Sequence, residues 1–391
     1  MKPVLLYSDI FFFLFAASCG FFFVWGLRKR NYREGLQRIA RNRWALVSLC
    51  IIIVYMGIAF LDSFHYSLPL GGKKTGASAD NRETVRYGPT RSLFDTLFSR
   101  VYPGVQDRDG KIMENIEKTY SSPFSKKSFD RVQNPETGRW EFEKLKKPGA
   151  HFWGTDKAGG DVLYKLLKGI RTALIVGLIT TMIVIPFAIF FGVTAGYFGG
   201  RTDDVIQFIY ISLGSIPSIL LISAMMMIVN AKLSVSSGTD VFYKDDKIVI
   251  FLCVILGLVG WSALCRLLRA ETIKLKELDY VKAARGLGVS DLFIMIKYII
   301  PNLIHVVLIS SILRFSGLVM VEAILAYIKI GVPTTVRSWG RIVDGARSQL
   351  GRDPIIWWPV LGAFILMFLL VFSINIFGDA VRDALDPRLR E

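Results

Sequence analysis

Residues 271–302 read ETIKLKELDYVKAARGLGVSDLFIMIKYIIPN and form a charged segment between two long apolar runs. Gly286 and Gly288 predict the end of a short helix, because glycine is favoured just past a helix C-terminus. Ala283 and Ala284 give the end of that helix a surface of small side chains. A short amphipathic helix of this kind can enter a groove on a partner protein. The alternative is an amphipathic loop that lies on the membrane surface.

Composition indicates that this segment belongs to a membrane protein. Apolar residues make up 52% of the chain, and the mean hydropathy is +0.43. A helix needs about 20 apolar residues to cross the hydrocarbon of a bilayer. Seven runs are long enough once flanking residues are counted: 10–27, 44–61, 172–198, 205–230, 248–265, 303–327 and 355–378. Because only helices with internally paired backbones cross lipid in this way, an all-α integral membrane protein is predicted. Pro186 and Pro217 either kink their runs or are tolerated as local irregularities.

The net charge of +16 indicates membrane orientation and not a nucleic-acid partner. Successive segments between the spans lie alternately on the two sides of the membrane. The segments on one side hold 18 Lys and Arg, and the N-terminus and short loops on the other side hold 9. The positive-inside rule puts the cation-rich segments in the cytoplasm, with long loops left out of the count. This bias predicts an outside N-terminus and an inside C-terminus. The run 10–27 is predicted to be a retained helix and not a cleaved signal peptide, because its cations follow it.

No residue pattern predicts catalysis or metal binding within this chain. The three histidines are scattered, and the four cysteines lie in apolar runs without CxxC spacing, which favours structural burial. Residues 71–75 read GGKKT and lack the GxxxxGK[ST] spacing of a phosphate-binding loop. This chain is therefore predicted to be no enzyme and to hold no cofactor.

Further stretches resemble the motifs of one transporter family. Residues 153–178, WGTDKAGGDVLYKLLKGIRTALIVGL, resemble the block GTDxxGRDVLxRLxxGxRxSLxVGL of C-type permeases from dipeptide and oligopeptide ABC importers, with Gly160 at the position of the first arginine. Residues 192–203, GVTAGYFGGRTD, are similar to that family's GxxAGYxGGxxD loop. Residues 378–390, GDAVRDALDPRLR, resemble its GDxLRDxLDPRLR ending. Shorter matches occur at 216–218, 322–323 and 338–340.

The opening segment is similar to the EAA signature of the same permeases, with Lys282 in place of the glutamate. In that family the segment forms a cytoplasmic helix that docks on a separate ATPase subunit. The resemblance, which runs from about Leu36 to Glu391, implies that 271–301 is an ATPase-coupling loop here. Asp291 is expected to cap the helix that follows. The implied coupling residues are Tyr280, Ala283, Ala284, Arg285, Gly286, Gly288, Asp291 and Pro301.

The resemblance implies a six-helix permease core, to which this chain adds an N-terminal helix and a long insertion. The insertion holds 16 Lys and Arg, 12 Asp and Glu, and scattered aromatic residues, which predicts a small lobe. The predicted order is an extra transmembrane helix (1–27), a basic cytoplasmic loop (28–43), the first core helix (44–61), the extracytoplasmic insertion (62–150), the remaining core helices (151–378) and a cytoplasmic tail (379–391).

The resemblance also implies partners and location. A homologous B-type permease, two ABC ATPase subunits that bind ATP and Mg, and an extracytoplasmic peptide-binding protein are expected around the chain in the bacterial inner membrane. Dipeptides or oligopeptides are the expected cargo. The long insertion also resembles microcin-type permeases for longer peptides, and nickel uptake is a further alternative. A membrane anchor or receptor whose outer lobe binds a ligand is the rival from another class.

Arg314 and Glu322 are ionisable residues within a predicted span, which makes them candidates for functional contacts. Their directions differ by about 80° around a helix of 3.6 residues per turn, so a direct pair requires Arg314 to reach along the helix. Glu322 matches the family pattern, whereas Arg314 does not. A role in holding helices together is favoured over contact with cargo.

Overall fold

A computed structural model describes residues 2–27, 38–67, 90–102, 116–133, 138–235, 241–333 and 335–385. Parts of five predicted segments lie outside these ranges. They are residue 1 of the N-terminal segment, residues 28–37 of the basic loop, residues 68–89, 103–115 and 134–137 of the insertion, residues 236–240 and 334 of the remaining core, and residues 386–391 of the tail.

Helices account for most of the described chain. Their bounds are α1 Tyr7–Leu27, α2 Arg43–Asp62, α3 Leu93–Val101, α4 Val162–Phe198, α5 Gly200–Gly214, α6 Ser218–Val235, α7 Val241–Gly260, α8 Ser262–Lys276, α9 Asp279–Gly286, α10 Asp291–Tyr327, α11 Trp339–Arg347 and α12 Trp358–Leu385. The strands are β1 Lys2–Val4, β2 His65–Ser67, β3 Arg91–Ser92, β4 Lys127–Gln133 and β5 Trp140–Lys144.

The long helices agree with the predicted all-α core of six spans. Among the described residues, four helices are long and apolar enough to cross a membrane: α2, α4, α10 and α12. The bent pairs α5–α6 and α7–α8 bring the number to six when each pair is taken as one span. The N-terminal helix α1 is present, and its use as a seventh span stays a prediction.

Two of the predicted runs are bent, which their apolar composition does not reveal. Helices α5 and α6 meet at 81°, and α7 and α8 meet at 41°. Pro217 lies at the first break, because proline lacks an N–H and disfavours helical backbone in the residue before it. Pro186, in contrast, lies inside the continuous helix α4. Of the two prolines, only Pro217 coincides with a sharp bend.

The chain divides into two compact units. Unit 1 comprises residues 1–10, 54–172 and 337–366, and unit 2 comprises residues 11–53, 173–336 and 367–391.

The N-terminal residues are built into unit 1. Strand β1 pairs antiparallel with β2, and β2 pairs antiparallel with β3, with Pro3 opposite Tyr66 and Tyr66 opposite Arg91. Asp9 follows β1 and is fully buried, with its carboxylate 2.5 Å from Nη2 of Arg171 and 3.0 Å from Nδ1 of His65. A buried charge needs such partners to offset its lost hydration. The first residues of the chain are therefore part of this fold.

A second buried polar cluster in unit 1 surrounds His151. Its Nδ1 lies 2.9 Å from a carboxylate oxygen of Asp161, and its Nε2 lies 3.6 Å from Glu117, an ion-pair distance. Burial lowers the pKa of His151, but the two carboxylates raise it further, to about 9. The imidazole is therefore protonated at neutral pH. The Tyr102 hydroxyl donates to the same Asp161 at 2.9 Å, and the pKa of Tyr102 is raised by burial and by that carboxylate.

Two of the family-like motifs meet within unit 1. The indole of Trp339 is fully buried and donates to the carbonyl of Leu166 at 2.9 Å. A Cβ on Gly169 would approach Trp339 Cδ1 to 2.9 Å, closer than side chains tolerate. Gly169 of the 153–178 block thus makes room for the tryptophan of the Ser338-Trp339-Gly340 motif.

One buried cluster in unit 2 joins five helices. Residues of α4, α5, α8, α9 and α10 contribute to it, including Val193, Tyr210, Leu268, Val281 and Ile294. Both the helix before the coupling loop and the helix after it therefore pack into one core.

Candidate coupling site

Helix α9 presents one face to its own chain and the other to solvent. Val281 is 2% exposed and Ala284 is 7% exposed, and both belong to the buried cluster of unit 2. Ala283, one position along, is exposed. The predicted pair of small residues is therefore divided: Ala284 packs internally, while Ala283 is available to a partner.

The end of α9 has the backbone pattern predicted from its glycines. Helix α9 ends at Gly286, and Gly288 has φ +79°, the left-handed conformation that glycine adopts without strain. The amide of Gly288 donates to the carbonyl of Arg285 at 3.0 Å, and the amide of Val289 donates to the carbonyl of Ala284 at 3.2 Å. These two bonds define a Schellman motif. The motif turns the chain sharply and leaves Leu287 at the tip.

Helix α10 begins differently from the prediction. Ser290 is the N-cap residue, and Asp291 is the first helical residue. The carboxylate of Asp291 instead accepts a hydrogen bond of 2.6 Å from the Tyr197 hydroxyl. The prediction that Asp291 is the N-cap of α10 was wrong. Its side chain contacts Tyr197 of α4, a partner that the local sequence does not reveal.

Pro301 lies just after a wide turn in α10. Residues Met295–Ile299 form a π-helical turn, and the amide of Ile300 donates to the carbonyl of Met295, five residues back. A proline removes one helical donor, and its ring clashes with the carbonyl four residues earlier. The wide turn relieves this clash, so the helix continues through Pro301. Asn302, the next residue, donates to the Tyr280 hydroxyl at 3.2 Å and so joins α10 to α9.

The tip of the loop exposes apolar side chains within a charged segment. Leu287 is 84% exposed and Leu292 is 64% exposed. Leu292 lines an open hollow of about 590 Å³, together with Ser290, Phe293, Ile296, Lys297 and Pro301. Exposed apolar surface rimmed by polar residues is typical of an interaction site.

Charged side chains lie on and just before helix α9, which leads to this tip. Lys282 lies at the position of the signature glutamate and forms an exposed ion pair of 3.0 Å with Glu277. That bond holds the pKa of Glu277 below its ordinary value. Arg285 is exposed on the same short helix. An exposed pair of this kind contributes little to stability, so these charges are free to be rearranged by a partner.

The GxxAGYxGGxxD stretch supports the coupling loop from α4 and α5. Asp203 accepts two hydrogen bonds from the Arg269 guanidinium of α8, both 2.5 Å long. A Cβ on Gly192 would approach the Cys265 carbonyl to 2.8 Å, and one on Gly196 would approach the Arg269 carbonyl to 2.7 Å. The GxxxG spacing of these glycines is a known signal for close helix packing. Sequence reasoning missed this role, although the signal is present.

The two intramembrane candidates are placed on α10. Arg314 is half-buried, and its Nη1 donates to the carbonyl of Gly260 at 2.6 Å. Glu322 is fully buried. In the part of the chain that is described, no three His, Cys, Asp or Glu side chains are arranged to hold a metal ion.

Several long apolar helices, two bent helix pairs and a short exposed helix between α8 and α10 are typical of a multi-pass membrane protein. Residues 188–391 match the family described as "Binding-protein-dependent transport system inner membrane component", and the chain belongs to this family. The predictions of a permease and of a multi-pass protein of the bacterial inner membrane are confirmed.

Individual proteins show the same similarity. The oligopeptide transport system permease protein OppC of Haemophilus influenzae is 31% identical over 242 residues, 62% of this chain and 72% of OppC. The dipeptide transport system permease protein DppC of Bacillus subtilis is 27% identical over 249 residues, 63% of this chain and 72% of DppC. A chain from the inward-facing MetNI methionine ABC transporter has 17% identity and a TM-score of 0.42, over 57% of this chain and 98% of that one.

Proposed function

We propose that this chain is one of two permease subunits that form the path of an ATP-driven importer of dipeptides or oligopeptides. A homologous permease, two ATPase subunits and an extracytoplasmic peptide-binding protein complete the assembly. ATP and Mg bind to the ATPase subunits, and ATP is hydrolysed there and not on this chain. Relatives named for oligopeptide and dipeptide transport support the choice of cargo.

The exposed tip of the coupling loop is the observation that carries this proposal. Leu287 projects from a Schellman turn on a helix whose other face is packed into the core. Helices α8 and α10 hold that turn from both sides, with Asn302 bonded to Tyr280 across the loop. A small apolar tip on a rigid support is suited to insertion into a groove on a partner.

Coupling follows from this arrangement. When the ATPase subunits bind ATP and close, their grooves move the coupling loops of both permeases, and α8 and α10 transmit that movement to the spans. The path is switched only to the extent that ATP-bound partners favour one state of the permease over the other. The role of this chain is therefore mechanical: it converts a displacement at the loop into a change of access to the path.

The grouping of segments in unit 1 supports the proposed orientation. Residues 1–10, 54–172 and 337–366 fold together, and the charge bias assigns the N-terminus, the insertion 62–150 and the loop before α12 to the outside. We place the coupling loop and the C-terminal tail in the cytoplasm. The insertion is then at the side where a binding protein delivers cargo, and its mixed charges suit a transient contact.

Purification of the tagged chain from its native membranes tests the assembly. We expect two ATPase subunits and a second permease to co-purify, and ATP hydrolysis to rise when loaded binding protein is added. A chain that purifies alone and binds a ligand by itself would support the receptor and refute the importer.

Uptake assays in a deletion strain test the cargo. Labelled di-, tri- and longer peptides and nickel are supplied, with the wild-type gene restored as the control. Loss of dipeptide or oligopeptide uptake supports the proposal. Loss of nickel uptake or of long-peptide uptake alone would assign one of the alternative cargoes.

A further inference from the structure

Three consecutive residues of α10 contact three different helices of unit 2. Arg314 donates to the Gly260 carbonyl of α7 at 2.6 Å. Phe315 packs so closely on α4 that a Cβ on Gly177 would approach its ring to 2.5 Å. Ser316 lies 2.9 Å from the Asn375 amide oxygen of α12. This part of α10 is therefore a junction of the bundle.

The acceptor of the Arg314 bond is the last carbonyl of α7. Helix α7 ends at Gly260, and α8 begins at Ser262 after the 41° bend. Carbonyls at a helix C-terminus have no partner within the helix, and an unpaired one is costly in lipid. A guanidinium satisfies such a carbonyl and also interacts favourably with the negative end of the helix dipole. Arg314 thus stabilises the bend itself.

The bond between Arg314 and Gly260 connects α10 to the start of α8, so that the coupling loop lies between two helices that are also joined away from it. From the bend, α8 extends about 22 Å to the loop, at 1.5 Å per residue. From Asp291, α10 extends about 35 Å back to Arg314 on the same scale. Arg314 then joins α10 to the bend where α8 begins. The two helices that support the loop are therefore connected at the loop and also through Arg314, in the interior of α10, to the bend where α8 begins.

We propose that Arg314 is a positioning residue for energy coupling, in that its bond to Gly260 makes α8, α9 and α10 move as one body. Without the bond, the bend at Gly260 absorbs part of the displacement of the coupling loop. Less of the movement then reaches the spans. This inference rests on the proposed function, since it assumes that an ATPase subunit displaces the loop.

Three variants separate this role from a general contribution to packing. Arg314→Met removes the donor and keeps an apolar chain of similar length, and Arg314→Lys keeps a charged donor. Ser316→Ala is the matched control, because it removes the other polar side-chain contact of the junction, a hydroxyl that lies 2.8 Å from the Leu313 carbonyl of its own helix and 2.9 Å from the Asn375 amide oxygen of α12. All three are compared in the complete transport complex, after assembly has been verified by co-purification.

The first readout is coupling. In Arg314→Met we expect basal ATP hydrolysis to persist, while transport per ATP hydrolysed falls about tenfold, equivalent to ~1.4 kcal/mol. In Arg314→Lys and Ser316→Ala, transport per ATP hydrolysed should stay within about twofold of wild type. Unchanged transport per ATP in Arg314→Met would overturn the inference. So would a loss of equal size in Ser316→Ala or in Arg314→Lys.

The second readout needs no partner. Hydrogen exchange of amides in residues 258–266 is followed by mass spectrometry on the purified chain in detergent. We expect amide exchange to be about tenfold faster in Arg314→Met, equivalent to ~1.4 kcal/mol, and unchanged from wild type in Arg314→Lys. Unchanged exchange in Arg314→Met would refute the bond as the support of the bend. A wild-type complex without ATPase subunits would instead refute the proposed function and leave this readout valid.

Discussion

Leu287→Glu should abolish docking of the ATPase subunit without unfolding the chain. Leu287 is 84% exposed and follows the last residue of α9, so its side chain contributes little to the fold. Burying a leucine in a partner groove contributes about 1.5–3 kcal/mol. A glutamate without a partner in that groove costs further, by several kcal/mol. Together these amount to at least ~3 kcal/mol, or more than a hundredfold weaker binding at ~1.4 kcal/mol per tenfold.

Titration of the purified ATPase subunit against the permease pair measures this change directly. Leu287→Ala should lose only the leucine contribution and give an intermediate affinity. Lys282→Ala is the matched control on the same short helix, because it removes only an exposed ion pair with Glu277. Wild-type ATPase binding by Leu287→Glu would refute the docking role of the tip. Loss of Leu287→Glu from the membrane would refute the inference that this side chain is not needed for folding.

Three further expectations concern the buried groups. Ala284→Asp should lower the free energy of unfolding of the isolated chain by several kcal/mol, because Ala284 packs within the core of unit 2. Thermal unfolding measures this change, and an unchanged unfolding temperature would contradict that packing. Asp9→Asn should lower the free energy of unfolding of unit 1 by about 3–5 kcal/mol, because it leaves the half-buried Arg171 without its carboxylate. We expect faster proteolysis of the first ten residues in this variant. Protease resistance equal to that of wild type would contradict the role of Asp9 in holding the N-terminal residues in the fold. His151 binds its proton more tightly in the folded state, so its contribution to stability should be complete below pH 6.5 and lost as the pH rises through about 9. The unfolding temperature of wild type should therefore fall across that pH range, and that of His151→Gln should not. A wild-type unfolding temperature that does not change with pH would contradict the expectation.

The sequence predicted the features that depend on local backbone chemistry. Glycine at Gly288 predicted the left-handed residue that ends α9, since few other residues adopt that conformation without strain. Pro186 and Pro217 left a kink and a tolerated irregularity open, and of the two the structure bends the chain only at Pro217. Apolar length predicted the spans, because lipid imposes that length on any crossing helix.

Features that depend on tertiary partners could not be predicted in the same way. Ala283 and Ala284 are identical side chains, and only the packing of α9 decides which one is buried. Asp291 is well placed to cap a helix, but Tyr197, nearly a hundred residues earlier, lies close enough to bond to it. The buried pair of Asp9 and Arg171 joins residues whose spacing along the chain carries no signal.

The wide turn before Pro301 fixes the rotational phase of α10. A π-helical turn adds about one residue to the helix, and each residue of an α-helix advances the side-chain direction by about 100°. Arg314, Phe315 and Ser316 therefore lie about 100° from the directions that an uninterrupted helix starting at Asp291 would give them. Pro301 favours this wider turn, because its ring removes one helical donor and crowds the carbonyl four residues earlier. A single extra residue near the start of α10 thus sets which side chains, several turns away, face α4, α7 and α12.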